Sequence, residues 1–200
     1  MRFVLLLALV GFARPSLAQP TLDLAVAQWQ QSHNQRNAVL YEALLDAEYV
    51  FLPTADDAAT LGPTLDRERD LQATSALFGG EPSPGGQGSP VVSIAVVLTP
   101  TTAWTAEAEG EFAGTQSRVF GSSATIRFFN QEVVQITTFQ VFYMVGIPNG
   151  TGTVYRLRAW RELPVDTKAE ETTWGRLKFI GTGVANRAES MGSWKARFRP

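Results

Sequence analysis

VYRLRAWREL, Val154–Leu163, is the strand that decides which side of this protein's sheet is covered. Large apolar residues alternate with arginines, and in a strand successive side chains point to opposite sides. Regular alternation places Val154, Arg156, Arg158 and Trp160 on one face and Tyr155, Leu157, Ala159 and Arg161 on the other. The second face suits a side covered by helices, because Tyr155 and Leu157 are bulky and Ala159 leaves room for a neighbour. Arg156 and Arg158 then point outward, since burying two permanent charges requires a carboxylate for each. Trp160 shares their side and needs a cover. The nearest one is TTWGRLK, 172–178, in which Trp174 and Leu177 can lie over the indole while Gly175 permits close approach.

Working outward, Leu22, Val26, Trp29 and His33 recur at helical spacing and predict an amphipathic helix from about Thr21 to Gln35. Leu40, Ala43 and Leu44 predict a shorter helix that stops near Asp46, and Tyr49 to Leu52 a short strand closed by Pro53. Asp66 is placed to cap the helix RERDLQATSALF, whose buried side reads as Leu71, Thr74, Leu77 and Phe78 and which Gly79-Gly80 stops. The stretch GGEPSPGGQGSP, 79–90, reads as a surface loop. Strands follow at Val91–Thr99, Ser117–Phe129, Val133–Val145 and Thr153–Glu162, with turns at Asn130-Gln131 and Asn149-Gly150. Helices first and an antiparallel sheet after predict an α+β fold.

That order of elements, with the phrases LLDAEYVFLP, LDRERDLQATSALFGG and VYRLRAWREL, resembles the nuclear transport factor 2-like family over about Leu22 to Leu163. TWGRLK, 173–178, resembles a tail element of secreted bacterial members. The resemblance implies N-terminal helices packed on a curved antiparallel sheet, a cone whose mouth opens between helices and sheet. It also implies either an isomerase, dehydratase or cyclase, or a binding or assembly module without chemistry, and fold alone does not choose between them.

The chain opens MRFVLLLALVGFARPSLAQP. Arg2, the apolar run Phe3–Ala13 and the small-residue site Ser16-Leu17-Ala18 predict a signal peptide over 1–18, cleaved near Ala18, and hence a secreted or periplasmic protein. The run is too short for a membrane span. With no cysteine, the chain has neither a disulfide nor a thiolate metal site. One domain is expected over 19–165, followed by a basic tail over 166–200, partly ordered. From Gln19 to Glu171 there are 9 basic and 18 acidic residues, and from Thr172 onward 6 basic and 1 acidic, so an acidic body carries a basic tail. Arg176, Lys178, Arg187, Lys195, Arg197 and Arg199 interleave with Phe179, Trp194 and Phe198. Such a mixture can hold nucleic acid or an anionic membrane surface, but export argues against nucleic acid and the tail shows no sustained helical stripe, so it reads as a partly disordered tail attracted to its own acidic body.

His33, the only histidine, lies on the apolar stripe of the first helix, where a cone would point it inward. Imidazole suits proton transfer near neutral pH, and Asp46 and Asp66, near helix ends, are the candidate carboxylate partners. The competing reading is a structural histidine bonded to free carbonyls at the helix end. Trp29, His33 and Tyr155 are the expected contacts of a small apolar ligand. Glu107, Glu109 and Glu111 share a side if extended, yet no calcium loop surrounds them, and they read as a solvated edge. No nucleophile elbow, dinucleotide fingerprint, P-loop or H-E-x-x-H is present, so neither a cofactor nor a metal is indicated. The leading expectation is a non-catalytic binding module with a small apolar pocket. The alternatives are a small-molecule isomerase, dehydratase or cyclase using His33 and a carboxylate, and a structural homodimer packed through the mixed faces of Val133–Val145.

Overall fold

The computed structural model describes residues 21–79, 89–150, 152–164 and 172–181. The expected signal peptide, Gly80 with most of the Gly/Pro-rich loop, and the basic residues from Arg187 onward lie outside the described residues. Helices α1 (Leu22–Asn34) and α2 (Ala38–Leu44) lead into β1 (Leu45–Leu52), α3 (Ala55–Leu61), β2 (Leu65–Asp66) and α4 (Arg67–Gly79). Strands β3 (Val91–Pro100), β4 (Thr105–Ala106), β5 (Gln116–Phe128), β6 (Val133–Asn149) and β7 (Gly152–Leu163) follow, and α5 (Trp174–Gly181) closes the described chain. The sheet runs β2-β1-β7-β6-β5-β3, with β4 beside β5.

Local chemistry accounts for the boundaries. The Thr21 hydroxyl caps α1 by accepting from Leu24 N, the Asn37 side chain caps α2, and Asp66 accepts from Arg69 N at 2.9 Å as a cap should. At the β6–β7 turn Gly150 takes φ of +59°, the left-handed angle a tight hairpin needs. The structure is α+β as expected, but the sheet is mixed rather than wholly antiparallel. β1 pairs with β7 in parallel, Phe51 opposite Trp160. A parallel pair needs a long crossover instead of a hairpin, and the chain between these two strands supplies it. Short-range periodicity did not reveal α3 or the two-residue strands β2 and β4.

One residue overturns the expected faces of β7. Met144 of β6 pairs with Leu157, while its neighbour Tyr143 pairs with Ala159, so Arg158 is an extra residue opposite no partner. Such a bulge reverses alternation beyond it. Tyr155 and Leu157 face the helices as expected, but beyond the bulge Trp160 and Glu162 turn inward. Ala159 joins Val141 and Tyr143 in a smaller cluster on the other side, against Phe112. The bulged Arg158 finds carboxylates on β1: its Nε lies 2.7 Å from Asp46 Oδ1, and its Nη1 pairs with Glu48. Arg156 donates instead to the carbonyls of Ala43 (3.1 Å) and Leu45 (3.3 Å). Burying an indole of about 200 Å² at ~25 cal/mol per Å² contributes roughly 5 kcal/mol, more than one lost ladder bond costs, so burial decides the register.

The segment carrying Glu107, Glu109 and Glu111 turns after β4 rather than extending. Glu107 accepts from Ser117 Oγ, and Glu111 lies 3.5 Å from Arg161. Among the described residues no helix is long and apolar enough to cross a membrane.

The bulge sets a clear expectation. Deleting Arg158 would restore alternation and drive Trp160 to the outer face, so that chain should lose its near-ultraviolet circular dichroism and its cooperative urea transition. Arg158→Ala, which keeps the residue count, should retain both and lose about 1–3 kcal/mol through the buried Asp46 left without its cation. Equal behaviour of the two variants would refute the assignment.

Candidate functional site

The cone's interior is built from the inward stripe of α1, Tyr41 and Leu44 of α2, the middle of α4 and the inner face of the sheet. Trp29 and His33, one turn apart on α1, stack with ring centroids 3.9 Å apart. Edges of Tyr41, Phe78 and Trp174 surround the imidazole at 5.3, 5.1 and 5.3 Å. His33 Nδ1 donates to the Trp29 carbonyl at 2.9 Å and lies 3.3 Å from Ser32 Oγ. Burial drives its pKa down to about 3; the Trp29 carbonyl opposes this, and the nearby Lys178 adds to it. The ring is therefore neutral at physiological pH and engaged with its own helix.

Neither carboxylate considered from sequence is bonded to His33. Asp46 is held by Arg158 and accepts from Glu48 N, and Asp66 is spent on the cap of α4. Beside Glu162, the carboxylate that enters the interior is Asp70. It lies on α4 with Ala73, Thr74 and Phe78, while Leu71 and Leu77 sit at the edge of the buried stripe. Its Oδ2 accepts from Tyr41 Oη at 2.5 Å, and Tyr41 Oη lies 3.3 Å from Tyr49 Oη. Its Oδ1 accepts from Lys178 Nζ, which also donates to Thr74 Oγ1 at 3.0 Å. Asp70, Lys178, both tyrosines and Thr74 are all buried. Burial pushes the tyrosines well above the ordinary phenol value, Asp70 adding to it, and pulls Lys178 below the ordinary lysine value against the opposing pull of Asp70.

Lys178 arrives on α5, a helix the sequence reading did not anticipate. Trp174, Leu177 and Lys178 fall at i, i+3 and i+4, a stripe too short to register as periodic but sufficient for one buried face. The segment does meet Trp160, as the sequence suggested, but inside the cone: Trp174 lies 5.6 Å from Trp160 and 5.8 Å from Trp29. Its first turn is fully capped. The two Glu162 oxygens accept from Trp174 N (2.9 Å) and Gly175 N (3.0 Å), and Thr173 Oγ1 accepts from Arg176 N (3.1 Å). Asp57 of α3 accepts from Thr173 Oγ1 at 2.5 Å and from Arg176 Nε at 3.0 Å. Gly175 permits this close approach: a Cβ would stand 3.0 Å from Asp57 Oδ2 and 3.2 Å from Pro53 Cβ, so those neighbours would have to give way by a few tenths of an ångström.

Trp29 and His33, expected as ligand contacts, are thus shielded by α5, and Tyr155 is half-buried against the same core. A cavity of about 210 Å³ lies on the opposite face of the sheet, lined by Val97, Thr99, Gly121, Ser123, Thr137 and Phe139. Among the described residues no group of acidic or histidine side chains is arranged to hold a metal ion.

Two buried groups tie stability to pH in opposite senses. His33, at about 3 against an ordinary 6.5, contributes stability that is complete above pH 6.5 and is lost as pH falls toward 3. Glu162 is raised to about 7 from an ordinary 4.5, mainly by burial, with the Trp174 and Gly175 amides opposing. Its contribution is complete below pH 4.5 and is lost as pH rises through 7. The native chain should therefore show a shallow stability profile between pH 4.5 and 6.5. Glu162→Gln should unmask a rise with pH across that window, on the order of 1 kcal/mol per pH unit, and His33→Gln the opposite slope. Urea denaturation across the window checks both.

No family model and no curated protein matches the sequence. Solved structures do. A conserved protein from Planctomyces limnophilus is 12% identical with a TM-score of 0.51, the match covering 72% of this chain and 94% of that one. A proposed dehydratase of the nuclear transport factor 2-like family from Streptomyces avermitilis is 12% identical with a TM-score of 0.50, over the same shares of the two chains. At such identity the likeness is one of fold, and the chain has the nuclear transport factor 2-like fold: helices packed on one face of a curved, open, mixed sheet.

Proposed function

We propose that the protein is a secreted or periplasmic, non-catalytic binding module whose apolar interior is closed by its own helix α5. The observation that carries this reading is the burial of Trp174 and Lys178 among Trp29, Trp160 and Asp70, where a relative with chemistry would need to admit substrate. His33 supports it. A general base must reach the proton it removes, and this imidazole is neutral, sealed beneath Trp174 and bonded to its own backbone. Export rests on the apolar run Phe3–Ala13 and on Ser16-Leu17-Ala18.

Native mass spectrometry of exported protein tests both parts. The mature chain should begin at Gln19. Leu177→Asp, which places a charge where α5 packs, should carry apolar ligand through purification that the parent chain does not. Material retaining Met1 would refute export. A turnover activity abolished by His33→Gln would replace the binder with an isomerase, dehydratase or cyclase.

A second reading, a homodimer through the outer sheet face, is favoured by Phe139 at 44% and Val97 at 58% exposure beside the outer cavity. Phe139→Glu should convert a dimer to monomer in sedimentation, and a parent chain already monomeric at high concentration would remove the idea.

A further inference from the structure

Lys178 is bound the way a ligand cation is bound. Its Nζ lies 4.6 Å from the ring centre of Trp160, 5.1 Å from Phe51 and 5.4 Å from Tyr41. Ammonium groups are attracted to aromatic faces at such distances, most strongly where water is excluded. The carboxylate of Asp70 and the hydroxyl of Thr74 complete the cage. Every wall belongs to the body of the fold: Tyr41 to α2, Phe51 to β1, Asp70 and Thr74 to α4, Trp160 to β7. Only the occupant comes from α5.

We propose that the interior of the cone is a binding site for an arylalkyl ammonium compound, and that Trp174 and Lys178 of α5 hold its place in the closed chain. This rests on the reading of the protein as a binding module and specifies its ligand class. Trp174 and Lys178 stand one helical turn apart, so the space they fill matches an aromatic ring joined to an ammonium by a short chain. An apolar acid would meet the buried Asp70 carboxylate with like charge, and a neutral apolar compound would leave that carboxylate without a cation.

The resident helix is an imperfect occupant. Eight residues do not hold a helix by themselves, so α5 persists only while docked. Around the docked helix the buried indole N–H groups of Trp29, Trp160 and Trp174 have no acceptor among the described residues, and a ligand carrying an acceptor beside its ammonium would supply one. A tethered segment of this kind competes by effective concentration and yields to a ligand that binds the same cage better.

Chemical rescue in the full chain tests the cage. Lys178→Ala leaves Asp70 without its cation, and butylammonium chloride should raise the melting temperature of this variant by several degrees beyond equal concentrations of butanol or sodium chloride. Asp70→Asn combined with Lys178→Ala should abolish that difference. If Lys178→Ala is recovered only by refolding, the yield with butylammonium against the yield with butanol reads the same question. No preference for the ammonium in either format overturns the proposal.

Displacement is read on the parent chain with phenethylamine and, as the anionic control, phenylpropionate. Phenethylamine should speed tryptic cleavage after the buried Lys178 several-fold and red-shift tryptophan emission, and phenylpropionate should do neither. Equal cleavage with both compounds overturns displacement and reduces the cage to a structural ion pair. Failure of this proposal is separable from failure of the binding-module reading. If Leu177→Asp retains a neutral apolar ligand while Lys178→Ala is not rescued, the module stands and the ammonium class falls; if neither occurs, both fall.

Discussion

The buried carboxylate of Asp70 is the constraint around which the interior is organised. A charge at such a site costs several kcal/mol unless it is paired and hydrogen-bonded, and three elements converge to meet that demand. The phenol of Tyr41 comes from α2, the ammonium of Lys178 from α5, and α4 supplies Thr74 as well as the carboxylate itself. Tyr49 on β1 extends the network into the sheet. An ion pair of this kind adds little net stability over an apolar core of the same shape, but it specifies which groups meet. Here it determines where the last described helix must sit.

A second constraint makes that position available. The bulge at Arg158 turns Trp160 and Glu162 toward the helices. Trp160 supplies a ring face to Lys178 and an edge to Trp174, and Glu162 meets the open amides at the start of α5. Without the extra residue both side chains would stand on the outer face. Sheet, bulge and α5 are therefore coupled, with the bulged Arg158 held to β1 by Asp46 and Glu48.

The same fold carries proteins with and without chemistry, so function must be argued from the site. In this chain the one histidine is stacked on Trp29 and bonded to the backbone, and the interior carboxylate serves a cation and a phenol. The proposed binding reading draws on these arrangements, in which aromatic rings would give shape and a few polar groups orientation.

Much of the fold was written in local pattern. The α1 stripe, the Asp66 cap, the Asn149-Gly150 turn and the long strands after Val91 rest on spacing and turn chemistry that neighbours in sequence determine by themselves. Sequence also paired the Trp174 segment with Trp160, because an indole beside two arginines needs an apolar cover. What it could not determine is which side that meeting takes place on. A bulge is one residue with no compositional mark, set by the burial of Trp160 against Phe142 and Phe51 rather than by the arginine inserted. Asp70 and Lys178 were illegible for a related reason. Each reads as a solvated charge in its own helix, and only their approach across 108 positions, where low dielectric and excluded water strengthen the pairing, makes them the centre of a buried network.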